Sequence, residues 1–411
     1  MRSDRMRVLV TGVAAVLIGI YAETAFSDQK NPPANDPAAL AIEKGVKWLI
    51  SVQGQNGGWG QDGGETSYVR QGERLESNGN DVANTAVAAE ALLHTGNTLA
   101  SGPYHRNLER AVGFILEHVE RSPVDGLTVT DVSGTQIQRK LGPFIDTFLT
   151  SKLLAELDGN MGDVQANARV RRDLQKCVAK IEKNQLKDGS WNIAGGWAPI
   201  LGTSMASQSL FMAQSKGVAV NQMAMNRVES YTASSGTGGV IGAGSGGGVG
   251  PGVSGGISGG TLTATPAAAP ASTASMVAVD SASAGVPLYK RAQELEQLSR
   301  TDEDRKKNAP QIAEIKRQLT DARVATGYGS IGGEEFFSWL NIGDSLHRTG
   351  GPEWQKWNAD MTAKILKLQN EDGTWAGQHC ITGRVAVTSA AILLLRADGE
   401  PPVLTSSTKG K

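Results

Sequence analysis

QGQNGGW at residues 53–59, QLKDGSW at 185–191 and QNEDGTW at 369–375 are one pattern written three times: a glutamine, three residues, a glycine, one residue, a tryptophan. An amphipathic stretch leads into the first and third copies. Ile42, Val46, Leu49 and Ile50 precede the first, and Trp354, Trp357, Met361, Ile365 and Leu368 precede the third, at helical steps of three and four. Gly57, Gly189 and Gly373 suit the left-handed turn that ends a helix. Gln53, Gln185 and Gln369 can bond the backbone groups exposed there, while Trp59, Trp191 and Trp375 cover the end. After the turn comes a helix of different character, as in DVANTAVAAEALL at 81–93 and RVAVTSAAILLL at 384–395. These are small and apolar almost all round, so they are expected to be buried on every side. The unit is an outer amphipathic helix, a turn and an inner buried helix. Further units without the Gln-to-Trp signal are 108–120 with 144–157 and 311–323 with 335–348. The expected fold class is all-α, with about twelve helices in six hairpins.

The chain of 411 residues is long enough for two or three domains or for one large repeat fold. Forty Lys and Arg against 41 Asp and Glu leave a formal charge of -1, so no basic field exists to hold nucleic acid or an anionic membrane. Two cysteines, Cys177 and Cys380, are too few for a disulfide scaffold, a multi-cysteine zinc cluster or an iron–sulfur centre. Neither a cofactor nor a complete metal set is legible.

Arg2, Arg5 and Arg7 stand ahead of an apolar run at 8–21 and the small-residue pattern Ala25-Phe26-Ser27, which reads as a secretory signal peptide over 1–27. The run is shorter than the roughly 20 residues of a spanning helix, so no stable membrane span is expected after cleavage. An uncleaved N-terminal anchor is the alternative. The protein is thus expected to be exported, to the periplasm or the medium, with 28–37 a disordered lead-in and 398–411 a disordered tail. Of the 51 glycines, fourteen fall between Gly236 and Gly260, and no charged side chain occurs from 230 to 279. Such a stretch cannot bury a core, so 232–287 reads as a flexible linker. It divides the helical chain into 38–231 and 288–397. A Gln-to-Trp copy stands on both sides, which points to one ring interrupted by an excursion. The run TDEDRKK at 301–307 reads as a solvated connection.

The three segments resemble the QW repeats of the squalene cyclase and protein prenyltransferase superfamily, and 332–351 with 372–391 further resemble secreted bacterial proteins of that repeat class. The resemblance covers most of the chain outside its start and the linker. It implies an (α/α) toroid whose inner helices surround a central cavity. Activity does not follow from fold.

The superfamily's chemistries fail here at their reacting atoms. Cyclases that protonate an alkene use the middle Asp of Asp-x-Asp-Asp-Thr-Ala, kept protonated by burial and neighbouring carboxylates. The matching stretch is Asp81-Val82-Ala83-Asn84-Thr85-Ala86, with a methyl group in the donor's place. Prenyltransferases need zinc held by Asp-x-Cys and a distant His; the nearest stretch, Asp146-Thr147-Phe148, has Phe148 at the ligand position. No aspartate-rich magnesium site and no Cys-Gly-Glu-Gln thioester sequence occurs.

The polar residues left at expected inner-helix starts are Asp81, Asp146, Glu334, Glu335, His379 and Cys380. Asp81 reads either as a catalytic remnant or as a helix cap. Glu334 and Glu335 read as an acid/base pair or as carboxylates suited to a helix N-terminus. His379 and Cys380 are expected on the turn at the mouth of the ring. Adjacent residues hold one metal only if further ligands arrive from elsewhere, and a lone Cys is equally a small hydrophobe. His94, His105, His118 and His347 read as scattered and inert. Two classes of function stay open. One is a binding toroid for a hydrophobic small molecule, a peptide or a partner protein. The other is an exported enzyme on isoprenoid or polysaccharide substrates with its own catalytic set.

Overall fold

The computed structural model describes residues 36–62, 69–70, 73–74, 79–193, 199–234, 286–321 and 331–397. The signal peptide, nearly all of the lead-in, most of the linker and the tail lie outside the described residues. Among the described residues the outer helices are α1 (Pro37–Ser51), α3 (His105–Arg121), α6 (Val164–Lys183) and α8 (Gln222–Ser234). The first inner helices are α2 (Val82–His94), α5 (Ile145–Leu157) and α7 (Pro199–Ser215), with the short α4 (Gln136–Leu141) ahead of α5. The second part contributes inner α9 (Val286–Leu298), the short α10 (Asp302–Lys307), outer α11 (Ala309–Leu319), inner α12 (Gly333–Thr349), outer α13 (Pro352–Lys367) and inner α14 (Arg384–Arg396). A ribbon of two-residue strands, β1 (Val69–Arg70) and β2 (Glu73–Arg74), pairs Val69 with Arg74 and is the one strand pair among the described residues.

Inner helices pack in the cyclic order α2, α5, α7, α9, α12, α14 and back to α2, with the outer helices laid against them. The fold is an all-α (α/α) toroid.

Local chemistry starts and orients these helices. Asp36, Asp81 and Asp163 cap α1, α2 and α6 by accepting the backbone N–H of Ala38, Asn84 and Ala166. On α3, Leu108, Ala111, Ile115 and Val119 are buried at steps of three and four while Glu109, Arg110 and Glu117 face water. On α2 every residue from Val82 to Leu92 is buried.

The Gln-to-Trp turns fasten the hairpins identically. The indole N–H of Trp59, Trp191 and Trp375 donates to the carbonyl of Leu49, Ile181 and Ile365, at 2.8, 2.7 and 2.8 Å, in the last turn of the preceding outer helix. Their backbone N–H groups donate to Thr85, Thr203 and Thr388 on the following inner helices. Each glutamine amide bridges its own turn glycine carbonyl to the start of the next outer helix: Gln53 to Asn107, Gln185 to Ala224, Gln369 to Ala41. The last of these joins the end of α13 to α1 and so closes the ring.

Two local expectations are corrected. Residues 302–307 form the helix α10, because Thr301 and Asp304 exchange the reciprocal bonds of a capping box; none of its residues is buried, so the segment is solvated as well as helical. Residues 232–234 belong to α8, where Thr232 is buried, and 286–287 open α9. The ring centre also differs from what the resemblance implies. Where α2, α5, α7, α12 and α14 converge there is about 20 Å³ of free space, enough for one water.

Candidate functional site

Two regions of the toroid gather polar chemistry: the mouth, where the inner helices begin, and a cleft in the outer wall. At the mouth, Asp81 and Asp146 are both buried on adjoining helices. Asp81 accepts from the N–H and side-chain amide of Asn84, and Asp146 from the N–H of Ala83 and the amide of Gln138. Asp146 thus reaches from α5 to the backbone of the first turn of α2. Burial and the charge of Asp146 push Asp81 up to about 7; burial pushes Asp146 up to about 6, against the pull of Gln138. Every oxygen of the pair has a partner, so in this arrangement the two caps hold the start of α2 against α5.

Helix α4 ties that pair to the far side of the mouth. Its Thr135 to Gln138 capping box orients Gln138 toward Asp146, and Gln136 bonds Thr382 and the N–H of Gly383. Asp62 receives Arg384 through two bonds, at 2.7 and 3.0 Å, while Arg384 also reaches Asp372. The loop at 376–382 therefore lies across the starts of α12 and α14, as Gln378 and His379 exchange backbone bonds with Ile331 and Gly333.

Three of the candidates meet on that loop. Glu334, in the first turn of α12, is buried, and its Oε1 lies 3.6 Å from His379 Nδ1. The same Nδ1 lies 3.1 Å from Cys380 Sγ. Cys380 has φ 62, the one positive value among the described non-glycine residues. Burial and the Glu334 carboxylate push its thiol up to about 12, although Lys140 of α4 pulls the other way. Glu335 is not part of this group. It lies in the field of Lys364 on α13, with its carboxyl raised to about 7 by burial and by Glu334. Asp81 likewise stands with Asp146.

Sequence reading missed a second cluster near the other ends of α2 and α5. His94 bonds Glu156 at 2.8 Å and so is not inert, and Lys152 bonds Glu90 at 2.6 Å with Asp344 at 3.8 Å. Burial works against the Lys152 charge, yet the carboxylates around it raise its pKa. The signal was a Glu and a His four apart on a helix whose other residues after Thr85 are apolar.

The cleft is a large concavity. It measures about 1310 Å³ and opens between α8 and α11 with α9 along its floor. Five glutamines line it: Gln214, Gln222, Gln297, Gln311 and Gln318. Phe211 is the lone aromatic in the lining and is itself buried, with the guanidinium carbons of Arg300 and Arg348 at 5.3 and 4.9 Å from its ring centre. Arg300 in turn bonds Glu296, Glu229 and Ser207.

No protein-family model matches the chain, and no curated protein matches it. Among solved structures the chain is similar to type II terpene cyclase MstE from Scytonema, in the apo form and as an arginine-to-alanine variant in complex with geranylgeranyl dihydroxybenzoate. Both comparisons give 11% identity and a TM-score of 0.45. The apo comparison covers 90% of this chain and 99% of the cyclase chain; the complex covers 88% and 98%. No described helix is long and apolar enough to cross a membrane.

Proposed function

We propose that the chain is an exported, non-cyclising toroid that binds a polypeptide, as a free peptide or a segment of a partner protein, in the cleft between α8 and α11. The carrying observation is the contrast in space: about 1310 Å³ in the cleft against about 20 Å³ at the ring centre. Small-molecule pockets run to about 300 Å³ or more, so the filled centre gives an isoprenoid no room. The cleft lining is rich in primary amides, which donate and accept at once and so match a peptide backbone. A glycan site would be expected to offer exposed aromatic faces, and a lipid site an apolar wall; Phe211 supplies neither.

Panning a random peptide library against the full chain tests this reading. Enriched peptides should lose affinity at least roughly tenfold on Gln297→Arg or Gln311→Arg and keep it on Lys47→Ala, which lies on the distant outer wall. Failure to enrich any peptide, or indifference to the cleft substitutions, overturns it. So does an isoprenoid found by native mass spectrometry in the purified protein.

A second reading, an exported enzyme on isoprenoid or polysaccharide substrates, is favoured by the buried Asp81 and Asp146 pair with its raised carboxyls. It requires turnover on one of those classes that Asp146→Asn abolishes while the fold survives.

A further inference from the structure

Glu334 Oε1, His379 Nδ1 and Cys380 Sγ all lie within 4.8 Å of one another, with 3.6 and 3.1 Å separating the imidazole nitrogen from the oxygen and the sulfur. The backbone is shaped to bring them there. A Cβ on Gly377 would stand 2.1 Å from the Ile381 carbonyl and 2.3 Å from the Gly333 nitrogen, and one on Gly333 would stand 2.1 Å from the same carbonyl. Two glycines thus let the loop lie flat against the start of α12, and Cys380 adopts its left-handed backbone within it. Glu334 is only 2% exposed, and its Oε2 has no hydrogen-bond partner.

This is not the geometry of a nucleophile relay. In a Cys–His–carboxylate relay the two ring nitrogens serve different partners, one toward sulfur and one toward the carboxylate. Here the sulfur and the oxygen converge on the same Nδ1, which can carry at most one proton. The thiol's own proton can bridge two of the three atoms, yet Glu334 Oε2 is still left without a hydrogen-bond partner. A dication placed among the three atoms satisfies all of them, because thiolate, neutral imidazole and carboxylate each offer a lone pair.

We propose that Glu334, His379 and Cys380 form a three-ligand site for a zinc-class divalent transition metal at the mouth of the toroid, with a fourth position open. Bond lengths of about 2.0 to 2.3 Å at tetrahedral angles place ligand atoms roughly 3.3 to 3.7 Å apart, close to the separations observed. The thiolate and imidazole select zinc, cobalt or their neighbours over magnesium and calcium. His379 is partly exposed, which gives the open position access from solvent, and Lys140 beside Cys380 is partly exposed as well. The Glu90, His94 and Glu156 group is equally compact but already holds the Lys152 ammonium at 2.6 Å from Glu90. There each glutamate already has a basic partner, Lys152 for Glu90 and His94 for Glu156.

Cobalt(II) titration of the chelator-treated full chain tests the site, followed by displacement with zinc(II). The expected result is one cobalt per chain with a thiolate-to-cobalt charge-transfer band and the intense visible bands of a tetrahedral ion. Cys380→Ser should abolish the charge-transfer band, and Glu334→Gln and His379→Ala should weaken binding at least roughly tenfold. Cys177→Ser and Glu156→Gln should leave the spectrum unchanged, with circular dichroism confirming that every variant is folded. Absence of the band in the unaltered chain overturns the proposal. So does a band that survives Cys380→Ser or disappears with Glu156→Gln.

Discussion

The indole of Trp375 donates at 2.8 Å to Ile365 while its ring is fully buried, and Trp59 and Trp191 repeat the arrangement. Replacing any of the three with Ala should cost about 3 to 5 kcal/mol, read as a shift in the urea midpoint. Trp375→Phe keeps most of the ring but strands the Ile365 carbonyl, and should cost about 1 kcal/mol beyond the lost volume. Asp81 and Asp146 predict a pH dependence of a particular sign. Their folded carboxyls titrate at about 7 and about 6, above the ordinary value of 3.8, so the folded chain keeps protons that the unfolded chain has released. Stability conferred by these two groups is full at acid pH and falls as pH rises from about 4 to about 7. Thermal unfolding in that window should show this loss, and Asp81→Asn, which can still cap α2, should flatten it. An unchanged slope in Asp81→Asn would place the raised carboxyl elsewhere.

At the scale of the helix pair, the ring is held by amide bridges whose chemistry is the same at three joints. Gln369 ties α13 to α1 through Ala41, across 328 residues of chain. Gln369→Ala should cost about 1 to 2 kcal/mol, since it leaves both the Ala41 and Gly373 carbonyls without that donor. Gly373 has φ 87, and a Cβ there would lie 2.8 Å from the Cβ of Lys44 on α1. Gly373→Ala therefore meets backbone strain and a crowded helix together, and should destabilise by more than the roughly 1 kcal/mol of the left-handed penalty alone. Hydrogen exchange should show the loss concentrated at the facing ends of α1 and α13.

Across the whole molecule, inner helices from before and after 235–285 pack side by side, α7 with α9 and α14 with α2. A protease site engineered into 235–285 and cut should leave two fragments that co-elute on a sizing column; separation of the fragments would refute a single ring. The filled centre carries a second expectation. Squalene and oxidosqualene should yield no cyclic product, and Ala83→Asp should not restore one, because about 20 Å³ admits no such substrate even with an acid in place. Gas chromatography against a boiled control checks it.

Repetition of Gln, Gly and Trp at fixed spacing was enough to define the hairpin, because helix ends have few ways to satisfy their backbone and this triplet is one of them. The buried inner helices were legible for a similar reason: a helix apolar all round has nowhere to go but inside. Asp81 as a cap followed from its place before an apolar run. What pairs across the ring was not legible. Asp146 beside Ala83, Glu156 beside His94, and Glu334 beside His379 and Cys380 join residues far apart in the chain, with no periodicity linking them. The volume at the centre was equally hidden, since it is a small difference between large packed volumes contributed by several helices. Local backbone chemistry and hydrophobic period set the elements; only closure of the ring decided which polar side chains meet and how much space is left between them.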